Sequence, residues 1–251
     1  MMLALNNIKY ECRYAYMEGK PFRNVGLDTF VEPTLARKLA AEFSDYDDPC
    51  WHFYGDALEN EKACNDWIKF PVTTYRFITF MYSKDMLDAL YYMTGVRMFP
   101  DMGLHGGGWH IHGQGGNLNP HLDYSCHPKL GLQRKLNIIV YLTEDYQEEW
   151  GGHLGLWSDA GGKPGVLTKE IAPLFNRAII FDTTQNSWHG MSRPLNLPPG
   201  KYRKSIAVYY LCEAPLDADA RTRALFYPRE TQLAGACDAQ DDLPRRTRSQ
   251  V

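Results

Sequence analysis

From about residue 100 onward the chain is a succession of short β-prone runs divided by turn residues, a texture that limits the fold more than any other feature of the sequence. The runs are "GNLNPHLD", "LNIIVYLT" (136–143), "GGHLGLWS" (151–158), "RAIIFDT" (177–183) and "RKSIAVYYL" (203–211), with Gly- and Pro-rich connections between them. Short, evenly spaced strands of this kind predict a barrel or a double-sheet jelly roll, not parallel α/β units. A barrel or jelly-roll core is therefore expected from about residue 100 onward. Ahead of it, "PTLARKLAAEF" (33–43) and "SKDMLDALYYMTGV" (83–96) carry apolar residues at helical spacing, with Ser83 reading as a helix start and Gly95 as a stop. Residues 1–99 are expected to form a helical support. The polar, aromatic stretch "DYDDPCWHFYGDALENEKACNDWIKF" reads as irregular with room for a short helix, and "SDAGGKPGVLTKEIAP" as a long loop. Residues 217–229 read as a closing helix and 241–251 as a disordered tail, so that a single, mainly β domain spans 1–240.

Charge excludes one class of function. The net charge is -3 over 251 residues, whereas counterion-release binding to nucleic acid needs a clustered basic surface. Arg221, Arg223 and Arg229, with Arg245, Arg246 and Arg248, are the one local basic concentration, and they read as a solvated face and a loose tail. The six cysteines (Cys12, Cys50, Cys64, Cys126, Cys212 and Cys237) include no C-x-x-C pair, which points to free thiols in a reducing compartment. The start "MMLALNNIKYECRY" lacks the basic flank and apolar length of a signal peptide, and no apolar run spans a bilayer. A cytoplasmic protein with no membrane partner is expected. Oligomeric state leaves no mark in the sequence.

The chemistry-bearing stretch is "NPHLDYS" (119–125). Successive strand side chains alternate faces, so His121 and Asp123 point the same way. Imidazole and carboxylate are the donors of a non-haem Fe(II) centre, in which two histidines and one carboxylate leave positions open. His189 in "NSWHGMSRP" is the best second histidine. An isolated H-x-D also fits two polar groups at a strand end. Arg203 follows fourteen residues after His189 and opens a run whose alternation puts Arg203, Ser205, Ala207 and Tyr209 on one face. An arginine turned into a barrel needs an anion, and one at a strand end reaches water instead.

Taken in order, "HLD", "LNIIVYL", "GGHLGLW", "RAIIFDT", "SWHG" and "RKSIAVYY" resemble the Fe(II)/2-oxoglutarate-dependent dioxygenases of the prolyl-4-hydroxylase-like group, over roughly residues 100–212. The resemblance implies a double-stranded β-helix (jelly roll) with His121, Asp123 and His189 as catalytic metal ligands. It further implies that Arg203 pairs with the distal carboxylate of 2-oxoglutarate, that Tyr141 hydrogen-bonds the same carboxylate, and that Leu154 is an apolar wall of that site. Strand parity adds Asn137 and Ile139 to the face of Tyr141, and Ser205 to that of Arg203. The implied cofactors are Fe(II), 2-oxoglutarate as co-substrate and O2, with ascorbate as activator. The implied reaction hydroxylates an unactivated C–H bond and releases succinate and CO2. In related halogenases a small residue replaces the carboxylate ligand, so Asp123 argues for hydroxylation. A small molecule (amino acid, sugar or natural product) is the expected substrate. Peptidyl proline hydroxylation and a non-catalytic, cupin-like metal-binding protein are the alternatives. Trp109, His110, His112, Trp188 and Asn119 are the expected substrate-pocket residues. Two departures from the family pattern stand out: His153 lies where the family often has Glu, and His105, His110 and His112 crowd "HGGGWHIHGQGGN". The H-x-H pair at 110–112 suits a cupin-type metal site, but the Glu such a site wants a few residues on is missing from "GQGGNLNP".

Overall fold

The β-prone runs become two antiparallel sheets in the computed structural model, which describes residues 2–184, 186–229 and 232. In chain order the elements are α1 (Met2–Glu18), β1 (Asn24–Leu27), α2 (Pro33–Ala41), β2 (His52–Gly55), β3 (Glu59–Cys64), α3 (Val72–Met81), α4 (Lys84–Thr94), β4 (Phe99–Pro100), β5 (Gly108–His112), β6 (Asn117–Leu118), β7 (His121–Leu122), β8 (Gln133–Tyr141), β9 (Leu154–Asp159), β10 (Pro164–Ile171), β11 (Ala178–Asp182), β12 (His189–Met191), β13 (Arg203–Cys212) and β14 (Leu225–Phe226). The large sheet runs β1-β11-β8-β13-β5-β3-β2, with β4 on β13 and β6 on β3, and the small sheet runs β10-β9-β12-β7-β14. This is the double-stranded β-helix that the family resemblance implies and the strand texture allows.

Alternation sorts each central strand between two environments. Leu136, Ile138 and Val140 of β8, with Ile206, Val208 and Tyr210 of β13, turn outward into one apolar layer with the helices. α1 supplies Ala4, Ile8, Cys12 and Tyr16 to that layer at a four-residue spacing, and α4 supplies Met86, Ala89, Leu90 and Met93, each pattern a single helix face. Ser83 caps α4 by accepting from the Met86 amide at 3.4 Å, and Gly95 ends it at φ 75°, the left-handed conformation a glycine takes without strain. The alternate residues of β8 and β13 turn inward between the sheets, where Tyr141 packs with Leu154, Leu156, Ile171, Ile179 and Phe181.

Three expectations are corrected. The stretch read as irregular contains the hairpin β2–β3, and β3 pairs with β5 inside the large sheet, so residues 1–99 build part of the core sheet as well as its helical backing. The segment read as a long loop contains β10, which pairs with β9. The closing helix expected over 217–229 does not form: Leu225 and Phe226 pair with Leu122 and His121 on the edge of β7, and Arg221 Nη1 donates to the carbonyl of Asp123. An open strand edge is a row of unpaired backbone groups, and here it captures a segment whose composition suits a helix. The expected tail, 241–251, lies outside the described residues. All five described cysteines are free thiols, and no described helix is long and apolar enough to cross a membrane.

Candidate active site

His121 opens β7 and His189 opens β12, and the two residues are direct cross-strand partners. Their ring centroids stand 4.3 Å apart at a 50° tilt. The Asp123 carboxylate reaches both rings, with Oδ1 3.7 Å from His121 Nε2 and Oδ2 3.7 Å from His189 Nε2. One ligand atom from each residue lies within 4.8 Å of the other two, and all three residues are buried. The rings are also held in the correct tautomer. His121 Nδ1 donates to the carbonyl of Asn119 at 2.9 Å and His189 Nδ1 to that of Ser187 at 2.8 Å. A carbonyl can only accept, so each bond keeps the proton on Nδ1 and turns the Nε2 lone pair inward. Phe226 stacks on His121 at 4.8 Å and Phe181 lies against His189 at 4.8 Å, fixing both ring planes. Two imidazoles and one carboxylate on one side of a buried point, with space opposite, fit a non-haem Fe(II) ion.

Behind Asp123 lies Arg134, which sequence reasoning missed. Its side chain is 2% exposed and Nη1 stands 3.3 Å from Asp123 Oδ1. The guanidinium sits 3.5 Å from the ring centroids of both Tyr124 and Tyr209, and Nη2 donates to the carbonyl of His105. Burial works against its charge, but Tyr124 and Asp123 outweigh burial and keep Arg134 firmly cationic. Arg134 thereby aims the carboxylate.

The floor of the pocket fits an anion. Arg203 is 5% exposed, no carboxylate pairs with it among the described residues, and its guanidinium lies 4.9 Å from the Tyr141 ring. Arg203 Nε, the Tyr141 hydroxyl and Asn137 Oδ1 are buried without hydrogen-bond partners. Burial raises the Tyr141 pKa despite the opposing charge of Arg203, so the phenol keeps its proton as a donor. A buried guanidinium that meets no carboxylate among the described residues, with the Tyr141 hydroxyl as a donor beside it, is what the distal carboxylate of 2-oxoglutarate requires. Asn137, Ile139, Leu154, Arg203 and Ser205 line the same cavity of about 70 Å³ as His121, Asp123 and His189, while Tyr141 lies behind that lining.

His110 and His112 also line this cavity, together with Glu61 from β3. Glu61 Oε2 lies 3.3 Å from His110 Nδ1 and 3.1 Å from His112 Nε2. Burial pushes the Glu61 carboxyl up, but the two imidazoles outweigh it and hold the group well below the usual carboxylate range. Burial lowers the His112 pKa against the pull of Glu61. Glu61 lies in a segment whose sequence carries no site signal, and only the β3–β5 pairing brings it here.

Three expected substrate residues lie elsewhere. Trp109 alternates with His110 on β5 and points to the opposite face, stacked on Phe43 at 4.9 Å and edge-on to Phe70 at 5.2 Å in the helical layer. Trp188 precedes His189 and turns away for the same reason, its Nε1 donating to Asp159 Oδ1 at 2.9 Å. Asn119 is fully buried, donating to the carbonyl of Tyr227 at 3.1 Å and to Gln232 Oε1 at 2.7 Å; its own carbonyl, not its side chain, serves the site. His153 contacts the Tyr146 hydroxyl at 3.3 Å outside the pocket lining. His105 borders a neighbouring cavity with Arg134 and Asp123.

Residues 107–211 match the 2OG-Fe(II) oxygenase superfamily. Over 86 residues the chain is 30% identical to prolyl 3-hydroxylase OGFOD1 of Xenopus laevis, a stretch covering 34% of this chain and 16% of that protein. The chain thus spans under a fifth of the curated relative that it matches. Among solved structures it is similar to a prolyl-4-hydroxylase of Pseudomonas putida, with TM-score 0.51, 16% identity and coverage of 85% of this chain and 100% of that one. A prolyl 4-hydroxylase of Phytophthora capsici gives TM-score 0.55 at 19% identity over 93% and 71% of the two chains. HygX of Streptomyces hygroscopicus, solved with nickel, 2-oxoglutarate and hygromycin B, gives 0.53 at 12% identity over 82% and 90%. At these identities the likeness to the solved structures is one of fold.

Proposed function

We propose, from the match of residues 107–211 to the 2OG-Fe(II) oxygenase superfamily, that this chain hydroxylates an unactivated C–H bond of a small molecule. The observation that carries the reading is the buried Arg203, which meets no carboxylate among the described residues, in the same cavity as His121, Asp123 and His189. A buried cation without an anion is strongly unfavourable, and a metal-binding module without turnover has no use for one. Bound at the three ligands, Fe(II) would supply the oxidising chemistry that couples conversion of 2-oxoglutarate and O2 into succinate and CO2 to C–H hydroxylation.

The chain's own residues position and shield. His121, Asp123 and His189 would hold the ion from one side, and Arg134 keeps Asp123 aimed. Arg203 and Tyr141 would seat the distal carboxylate of the co-substrate, while Ile139 and Leu154 exclude water around its carbon chain. Asp123 fills the ligand position that a halide would need, which favours hydroxylation. Ascorbate is expected to sustain turnover by keeping the metal reduced.

A small substrate is favoured by the walls of the pocket, where Leu118, Met191, Ala224 and Phe226 close around the metal ligands. The stretch of identity to a prolyl 3-hydroxylase favours peptidyl proline as the second reading. Anaerobic titration of the Fe(II) protein with 2-oxoglutarate, followed by succinate release against free amino acids, sugars and a proline-containing peptide, tests both. Binding plus stimulation by a small molecule is expected. Stimulation by the peptide alone would replace the substrate, and absence of both co-substrate binding and succinate would end the dioxygenase reading.

A further inference from the structure

The metal ligands belong to the small sheet, whereas the large sheet brings a second polar group to the same cavity. The register that pairs Ala63 with His110 and Lys62 with Ile111 carries Glu61 to His112, and β13 places Arg203 opposite His112 on the other side of β5. Glu61 is 3% exposed and His112 is 2% exposed. Both imidazoles turn one nitrogen to Glu61 Oε2, at 3.3 and 3.1 Å. Among the described residues, His110 Nε2 and both ring nitrogens of His112 are buried with no hydrogen-bond partner.

We propose that Glu61, His110 and His112 are the seat for a substrate ammonium group, which makes the substrate of this oxygenase site an amine-bearing small molecule. The proposal rests on the dioxygenase reading for its placement beside the reacting centre. The cluster presents a buried carboxylate beside ring nitrogens that have no partner among the described residues. A second carboxylate is repelled by this set and belongs at Arg203, which 2-oxoglutarate would occupy. An ammonium group supplies what is missing, three N–H donors and a positive charge, and charge-assisted bonds of this kind are the strong ones. A second metal ion is a poorer match. Among the described residues, His121, Asp123 and His189 are the group whose ligand atoms lie close enough to share an ion, and Glu61, His110 and His112 are not. With its cation on β3 and β5, a substrate would direct its carbon skeleton across the cavity towards the metal ligands.

The test uses the full chain, 15N-labelled at histidine and loaded with diamagnetic Zn(II), titrated with propylamine, propanol and propionate, with and without 2-oxoglutarate. Propylamine is expected to shift the His110 and His112 ring nitrogens saturably, and the other two probes are not. Glu61→Gln is expected to weaken propylamine binding by about tenfold or more while 2-oxoglutarate affinity stays within about twofold. Where Glu61→Gln fails to give a cooperative thermal transition, His110→Gln carries the same comparison. Equal shifts from propanol, no shift from propylamine, unchanged affinity in the variant, or an equal loss of 2-oxoglutarate affinity would each overturn the proposal. So would two bound Zn(II) ions falling to one in His110→Gln. Failure of 2-oxoglutarate to bind while propylamine binds would instead count against the dioxygenase reading.

Discussion

At the scale of single residues, two backbone carbonyls decide what the histidines can do. Because Asn119 and Ser187 each accept from an Nδ1, the ligand nitrogens are set before any metal arrives. His121→Ala should abolish metal binding measured by equilibrium dialysis, and His110→Ala should leave one ion bound, which separates this site from a cupin-type one. Arg203→Met should raise the 2-oxoglutarate dissociation constant by roughly 10- to 100-fold, the worth of a hydrogen-bonded charge, with metal affinity unchanged. Arg134→Met should cost about 3–5 kcal/mol of stability, because it removes the buried cation beside a buried carboxylate; added metal should restore part of that loss, seen as a larger thermal shift than in the parent protein. Acid acts through other histidines. Burial lowers the pKa values of His105, His112, His127 and His153 in the fold, so the unfolded chain binds protons that the native state does not. Stability should accordingly fall as pH drops through about 6.5, the unfolded value, and thermal melts across that range measure it. His121, Asp123, His189 and Arg203 were legible as residues because their types and order are distinctive. Glu61 and Arg134 were not, since an acid in a polar stretch and a basic residue at a strand start look like surface.

At the scale of elements, the site depends on how closely β12 lies against the chain entering β7. Gly190 follows His189, and a Cβ there would stand 2.5 Å from the carbonyl oxygen of Asn119 and 2.8 Å from that of Leu118. Both are backbone atoms that cannot swing aside. Gly190→Ala should therefore push β12 away from β7, separate His189 from His121 and abolish metal binding, with a lowered melting temperature. Strand parity, readable from "LNIIVYL" and "RKSIAVYY", correctly sends Asn137, Ile139, Arg203 and Ser205 to the pocket. The same rule sends Trp109 and Trp188 away from it, because each is adjacent to a pocket-facing histidine on its strand. Parity has less authority at strand ends. Arg134 shares its parity with the outward-facing Leu136, yet it reaches Asp123, near the register shift between Tyr210 and Leu211 of β13.

At the scale of the whole molecule, the helices back the large sheet while His121 and His189 lie in the small sheet with Asp123 just past β7, so fold stability and site chemistry separate. Trp109 lies in the helical layer, and Trp109→Ala should cost about 3–5 kcal/mol while the folded fraction binds 2-oxoglutarate as before, as read by denaturant titration beside ligand titration. The sequence by itself narrowed the fold to a barrel or jelly roll, through strand spacing, and brought forward His121, Asp123 and His189 as candidate ligands, through the order in which its motifs resemble a known family. It also determined the two faces of each central strand, because alternation is a property of the extended backbone. Tertiary structure alone decided that Glu61 joins His110 and His112, that Arg134 stands behind Asp123, and that residues 217–229 lie as an edge strand instead of a helix. Each of these depends on pairing between segments far apart in the chain. Such pairing is governed by which unpaired edge or buried charge a segment meets, and no local pattern of residues encodes that meeting.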